Sequence, residues 1–186
     1  VDGFEINISC PNVKHGIRFA TDAADCERLF KALRPVTGKL LMAKLSPNVT
    51  DIGAIARAAV EGGAQALSLI NTVVGMAVDV KTRRPQLANI TGGLSGPAIR
   101  PIAVACVWKV AQACPGTPIC GIGGIRTLQD ALEFFLVGAC CVQGGTTNYI
   151  DPDLLNRLPG ELEAWVAGEG LETLGTVVGS VKAGQP

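Results

Sequence analysis

Apolar positions in this chain follow two rhythms that alternate from one segment to the next. Short apolar runs predict strands over residues 2–9, 39–45, 66–71, 118–122 and 140–144. Between and after them, apolar residues three and four apart predict helices over about 22–34, 51–62, 98–113, 127–137 and 153–167. The start and stop signals agree with this division. Thr50 and Asp51 can cap one helix start, and Gly62-Gly63 ends that helix. Thr127 followed by Asp130 has the spacing of a capping box, and Gly138 follows the helix it opens. Ser95-Gly96-Pro97 opens another, with proline near its first position.

Repeated strand–helix units predict a parallel sheet with right-handed crossovers. Five strands are too few to close an eight-stranded barrel. The pattern is that of the last five β/α units of a (β/α)8 TIM barrel, an α/β fold, with residues 1–186 forming one domain and the amino-terminal strands missing. An open, doubly wound five-stranded sheet is the alternative. One connection, residues 73–96, is long and is predicted to be a loop, with Lys81, Arg83 and Arg84 on a solvated face.

Composition narrows the choice of function. Hydrophobic residues make up 48% of the 186 and charged residues 17%, which is a globular balance. Sixteen basic residues offset sixteen acidic ones, so no positive field draws nucleic acid or an anionic membrane. No apolar run nears the roughly 20 residues of a membrane span, and no charged-then-apolar leader is present. The seven cysteines include no C-x-x-C pair, and His15 is the only histidine, which argues against a zinc or iron–sulfur site. Most of these thiols lie in apolar runs and are expected to act as small packing residues in a reducing, cytoplasmic setting.

Polar residues gather at the strand ends. In the first strand, Phe4, Ile6 and Ile8 share one face and Glu5, Asn7 and Ser9 the other, followed by Cys10, Pro11 and Asn12. Lys44 and Ser46 end the second strand, and Ser68, Asn71 and Thr72 the third. Gly121-Ile122-Gly123-Gly124 and Gly144-Gly145-Thr146 end the last two. A barrel brings all of these to one face. Glycine turns followed by helix starts admit an anion such as phosphate, although glycine also serves any tight turn. Lys44 in an apolar strand requires a counter-charge. That partner is either a structural carboxylate or negative charge developing on a cofactor.

Several runs resemble class 1 dihydroorotate dehydrogenase. They are Asn7-Ile8-Ser9-Cys10-Pro11-Asn12-Val13-Lys14, Lys44-Leu45-Ser46-Pro47-Asn48-Val49-Thr50-Asp51-Ile52, Leu69-Ile70-Asn71-Thr72, Gly92-Gly93-Leu94-Ser95-Gly96-Pro97-Ala98-Ile99 and Gly121-Ile122-Gly123-Gly124-Ile125. The resemblance holds one register from residue 2 to about 152. Within the family it favours the branch whose catalytic subunit reaches NAD through a partner. It implies a barrel carrying FMN that oxidises dihydroorotate to orotate in de novo pyrimidine biosynthesis.

By the same resemblance, Cys10 is the catalytic base, with residues 11–20 as the loop that closes over it. Asn7, Asn12, Asn71 and Thr72 hold the substrate. Asn7, Lys44, Ile70, Gly96, Gly123, Gly124, Gly145 and Thr146 hold FMN. FAD and an iron–sulfur cluster are implied only on an electron-transfer subunit that joins a homodimer. Residues 1–186 by themselves are expected to be inactive. Gly144 stands where the family usually has Val, which implies a looser strand end. Two alternatives are a dihydropyrimidine dehydrogenase-like flavin domain, against which Asn12 and Gly145-Thr146 weigh, and an inactive barrel fragment.

Overall fold

The computed structural model describes residues 1–9, 18–182 and 184. The strands are β1 (Gly3–Asn7), β2 (Leu40–Leu45), β3 (Ala66–Leu69), β4 (Val73–Gly75), β5 (Val78–Asp79), β6 (Arg84–Pro85), β7 (Gly92–Leu94), β8 (Ile119–Ile122) and β9 (Cys141–Gln143). The α-helices are α1 (Arg18–Thr21), α2 (Ala23–Leu33), α3 (Ile52–Gly62), α4 (Arg100–Ala113), α5 (Leu128–Leu136), α6 (Thr147–Ile150) and α7 (Leu154–Gly168). Each of the five predicted main strands and five predicted helices has its counterpart within a few residues.

The caps act as the sequence suggested. Asp51 accepts a hydrogen bond from the Ala54 amide at 3.1 Å, and Gly63 ends α3 at a φ of 112°. Thr127 and Asp130 form a reciprocal capping box at the start of α5.

The main sheet has the order β1-β2-β3-β8-β9, and all its neighbours are parallel. Strand order therefore follows chain order without reversal. A doubly wound sheet reverses order at a switch point, so that alternative is excluded. What remains is five consecutive β/α units of barrel type. Outward-facing Ala43, Leu45, Leu67, Leu69 and Ile119 pack against Phe30, Ile55, Ala59, Val107, Phe134 and other helix residues in one buried core. The opposite face of the sheet carries a different set. Register places Asn7, Lys44, Ser68, Cys120 and Cys141 side by side across all five strands.

The 73–96 connection departs from the predicted loop. It contains two short antiparallel ladders, β4 with β7 and β5 with β6. Lys81, Arg83 and Arg84 lie at its solvated end, as expected, and residues 81–90 are all exposed. The cysteines also need a correction. Cys26, Cys114 and Cys120 are buried and Cys106 is half-buried, but Cys140 and Cys141 are exposed.

No helix among the described residues is long and apolar enough to cross a membrane.

Candidate functional site

Three backbone turns meet at the carboxyl ends of the strands, and packing fixes each of them. Gly124 has a φ of 75°, and a Cβ there would fall 2.7 Å from the Gly96 carbonyl oxygen and 3.0 Å from Arg100 Cβ. Only glycine lets the β8 turn press this closely on the start of α4. Arg100 then ties the two together, pairing with Asp130 and, at 3.2 Å, with Glu133. Asp130 also accepts hydrogen bonds from the Arg126 and Thr127 amides at 2.9 and 3.1 Å. The third turn, after β9, is joined when the Thr146 hydroxyl donates to Ser95 Oγ at 2.7 Å.

Asp130→Ala removes the acceptor for two backbone amides and one guanidinium in a largely buried position. The expected cost is about 2–4 kcal/mol of stability. Thermal unfolding of the variant beside the parent checks it, and an unchanged midpoint would contradict the role given to Asp130.

Gly144 is not the loose end that the missing Val implied. A Cβ at this position would sit 2.6 Å from Thr147 Cγ2 and 3.2 Å from Leu155. Thr147 and Leu155 fill the space a side chain would need, so glycine is the residue that fits.

These turns enclose a cavity of about 250 Å³. Its lining includes Lys44, Ile70, Gly96, Gly123, Gly124, Gly145 and Thr146, which are seven of the eight residues predicted to hold FMN. Asn71 and Thr72 also line it. Asn7, the eighth, lies beside the cavity and is linked to it by Asn71, whose Nδ2 donates to Asn7 Oδ1 at 3.0 Å and to Ser9 Oγ at 2.5 Å. Among the described residues, two cations, Lys44 and Arg126, line the cavity, and no carboxylate does. Among the described residues no acidic side chain pairs with Lys44, so the structural salt bridge considered above is not found. Thr147 is among the lining residues, and its hydroxyl is buried without a hydrogen-bond partner. A positive lining and two glycine turns suit an anionic group.

A second, more polar cavity of about 670 Å³ adjoins the first and shares Asn71 and Thr72 with it. Ser9, Ser46, Asn48, Asn89 and Thr91 contribute to its wall. Asn48 holds this wall in place. Its Nδ2 donates to the Thr72 carbonyl and its Oδ1 accepts from the Val74 amide, both at 2.9 Å. Amides and hydroxyls without a charge suit a small ring with both donors and acceptors. Of the predicted site residues, Cys10 and Asn12 lie outside the described residues.

Asn48, Arg126 and Thr147 are not among the residues expected at the site, and Ser95 was expected only to open a helix. Asn48 and Ser95 lie inside quoted runs, and Arg126 directly follows one. Only the fold reveals that they face the two cavities.

The dihydroorotate dehydrogenase family model matches residues 1–166. The chain belongs to the dihydroorotate dehydrogenase family. Among its curated relatives is the catalytic subunit of NAD-dependent dihydroorotate dehydrogenase B of Geobacter sulfurreducens, 52% identical over 98% of this chain. The corresponding subunit of Solidesulfovibrio magneticus is 50% identical over 99% of it. The chain spans 60% of the length of each of these relatives. A solved dihydroorotate dehydrogenase from Eimeria tenella, in complex with ferulenol, superposes with a TM-score of 0.78 at 26% identity, covering 96% of this chain and 54% of that one. The family likeness thus runs past residue 152, where the recognisable motifs stop, and takes in most of α7.

Proposed function

We propose that the complete polypeptide is the catalytic subunit of an NAD-linked dihydroorotate dehydrogenase, oxidising dihydroorotate to orotate in pyrimidine biosynthesis. The observation that carries this reading is the 250 Å³ cavity, whose lining gathers Lys44, Ile70, Gly96, Gly123, Gly124, Gly145 and Thr146 from five separate parts of the chain. These residues suit FMN. The turns at Gly123-Gly124 and Gly145-Thr146 offer backbone amides to the phosphate, and Lys44 offers an ammonium to the ring. When bound, FMN supplies the hydride acceptor for the oxidation.

The protein's own residues do the rest. Asn71 and Thr72, which line the polar cavity, hold the pyrimidine ring and its carboxylate together with Asn7 and Asn12. Asn71 is fixed for this by its hydrogen bonds to Asn7 and Ser9, and by accepting from the Thr72 amide at 2.9 Å. Cys10, next in sequence after Ser9, takes the proton from C5 of dihydroorotate.

The relatives named as catalytic subunits support a division of labour. In this reading a homodimer of the chain works in the cytoplasm with a partner subunit. The partner carries FAD and an iron–sulfur cluster and passes electrons to NAD. No group of three or more metal-ligating side chains among the described residues is placed to hold a metal ion. Purified without its partner, the complete subunit should reduce an artificial dye with dihydroorotate but leave NAD unchanged. Robust NAD reduction by the subunit alone would overturn the division. Failure to reduce either acceptor would overturn the activity.

A further inference from the structure

Among the described strand residues, the inner face of the main sheet carries two charged side chains, Lys44 on β2 and Glu5 on β1. Lys44 lines the 250 Å³ cavity and Glu5 does not. No ion pair joins the two. Instead, Gln143 of β9 reaches across the sheet and donates from Nε2 to Glu5 Oε1 at 3.2 Å. A carboxylate only accepts, so the bond also fixes which end of the Gln143 amide faces Glu5.

The place of this bond identifies a layer of the barrel interior. Extending the register across the sheet sets Glu5 level with Ala139, yet its partner is Gln143, four residues further on. Four strand-to-strand steps separate β1 from β9, so the offset is one residue per step. That is the stagger of an eight-stranded barrel with a shear of 8, whose interior layers come from alternate strands. The same stagger places Ser68 of β3 in one layer with Glu5 and Gln143. Lys44 and Ile122 form the next layer toward the carboxyl ends, and Asn7, Ile70 and Gly145 the layer above that. Lys44, Ile122, Ile70 and Gly145 all line the cavity, so the Glu5 layer lies directly beneath its floor. Barrel interiors are filled mainly by branched apolar side chains, whereas all three described members of this layer are polar. Ser68 is completely buried, and its hydroxyl has no hydrogen-bond partner. Closing the barrel encloses the layer and lowers the dielectric around it, which strengthens the field of Glu5. Burying a carboxylate is costly unless it is hydrogen-bonded and balanced. Gln143 supplies the hydrogen bond, and Lys44, one layer up, is the balancing charge among the described strand residues.

We propose that Glu5, held by Gln143, is a positioning residue whose negative charge beneath Lys44 restrains electron uptake by the flavin. The proposal rests on the FMN reading above. Reduction leaves negative charge on the flavin ring, which Lys44 attracts and Glu5 repels. Because Gln143 engages the Glu5 carboxylate, Glu5 offsets the pull of Lys44 without pairing with it. The ammonium stays free for the ring, and the reduced flavin is kept a readier donor of electrons to the next carrier.

The two-electron midpoint potential of the complete protein, purified with FMN and equilibrated anaerobically with a reference dye, tests this. Glu5→Gln removes the charge but keeps an oxygen that can accept from Gln143. Unit charges about 10 Å apart at an effective dielectric of about 20 alter an equilibrium roughly tenfold. The variant should therefore favour reduced flavin by about tenfold, a rise of about 30 mV for a two-electron couple. Glu5→Asp keeps the charge and should leave the equilibrium within about twofold of the parent. A purely structural role gives the opposite order, because the shorter aspartate disturbs the contact with Gln143 more than glutamine does. A change under about twofold in Glu5→Gln, a fall in its potential, or an equal rise in Glu5→Asp overturns the proposal. A measurement on the wild-type protein holds whether or not the variants fold. The infrared difference spectrum between its oxidised and reduced forms should contain a carboxylate band that moves when glutamate is isotope-labelled, because charge arriving on the flavin shifts the stretch of a carboxylate close below it. Absence of that band also overturns the proposal. A complete protein that binds no FMN overturns the FMN reading itself, whereas one that binds FMN with an unmoved potential in Glu5→Gln overturns only the role of Glu5.

Discussion

Cys10→Ala in the complete protein should slow reduction of FMN by dihydroorotate by about 10²–10⁴-fold, the usual cost of losing a general base. FMN content should be unchanged. The expectation follows from where the chain leads up to this position. Ser9 is buried at 8% exposure, and its amide donates to Asn7 Oδ1 at 3.2 Å. Asn71 holds both residues from the neighbouring polar cavity. Ser9, the residue before Cys10 in sequence, is thereby anchored beside the polar cavity. No cysteine lines either cavity among the described residues. Rapid-reaction traces of flavin absorbance would measure the effect. A near-normal rate at neutral pH would remove Cys10 from the mechanism, and so would a larger loss in Cys106→Ala at equal FMN content.

Gly124→Asp is the second large effect, and here it is the cofactor that should be lost. The position has a φ of 75°, and any Cβ would fall 2.7 Å from the Gly96 carbonyl. Holding a non-glycine residue in that backbone region costs about 1–3 kcal/mol. The carboxylate adds negative charge to a cavity lined by Lys44 and Arg126, where no acid now stands. FMN affinity should fall by at least about tenfold, since roughly 1.4 kcal/mol is a factor of ten. Gly124→Ala separates the two causes, because it keeps the strain and omits the charge. It should retain more FMN than the aspartate variant. Fluorescence of flavin released from the purified proteins reads the result, with circular dichroism melting to confirm folding. Undiminished FMN in the aspartate variant would remove the glycine turn from the binding site.

The chain's elements were legible because their signals are local. Asp51, Thr127 with Asp130, and Gly63 act within one helical turn, so sequence spacing specifies them. The ladders inside residues 73–96 were not legible. Val73–Gly75 and Val78–Asp79 are too short to show a period of two, and their pairing depends on β7 and β6, which follow later in the chain. The site was legible where a motif names a residue and illegible where register does. Lys44, Gly96 and Gly124 stand inside recognisable runs. The row Asn7–Lys44–Ser68–Cys120–Cys141 exists only because β1, β2, β3, β8 and β9 pair in one register. Gly144 was misleading. Its missing side chain suggested slack, whereas Thr147 and Leu155 occupy the space.

One measurement tests the central claim most directly. The complete protein, purified with its flavin, is mixed with dihydroorotate under anaerobic conditions while the yellow flavin absorbance is followed and orotate is quantified. The account predicts bleaching of the flavin, with orotate formed in equal amount, and loss of both when Gly124→Asp removes the cofactor. A protein that binds flavin tightly but shows neither bleaching nor orotate would contradict it.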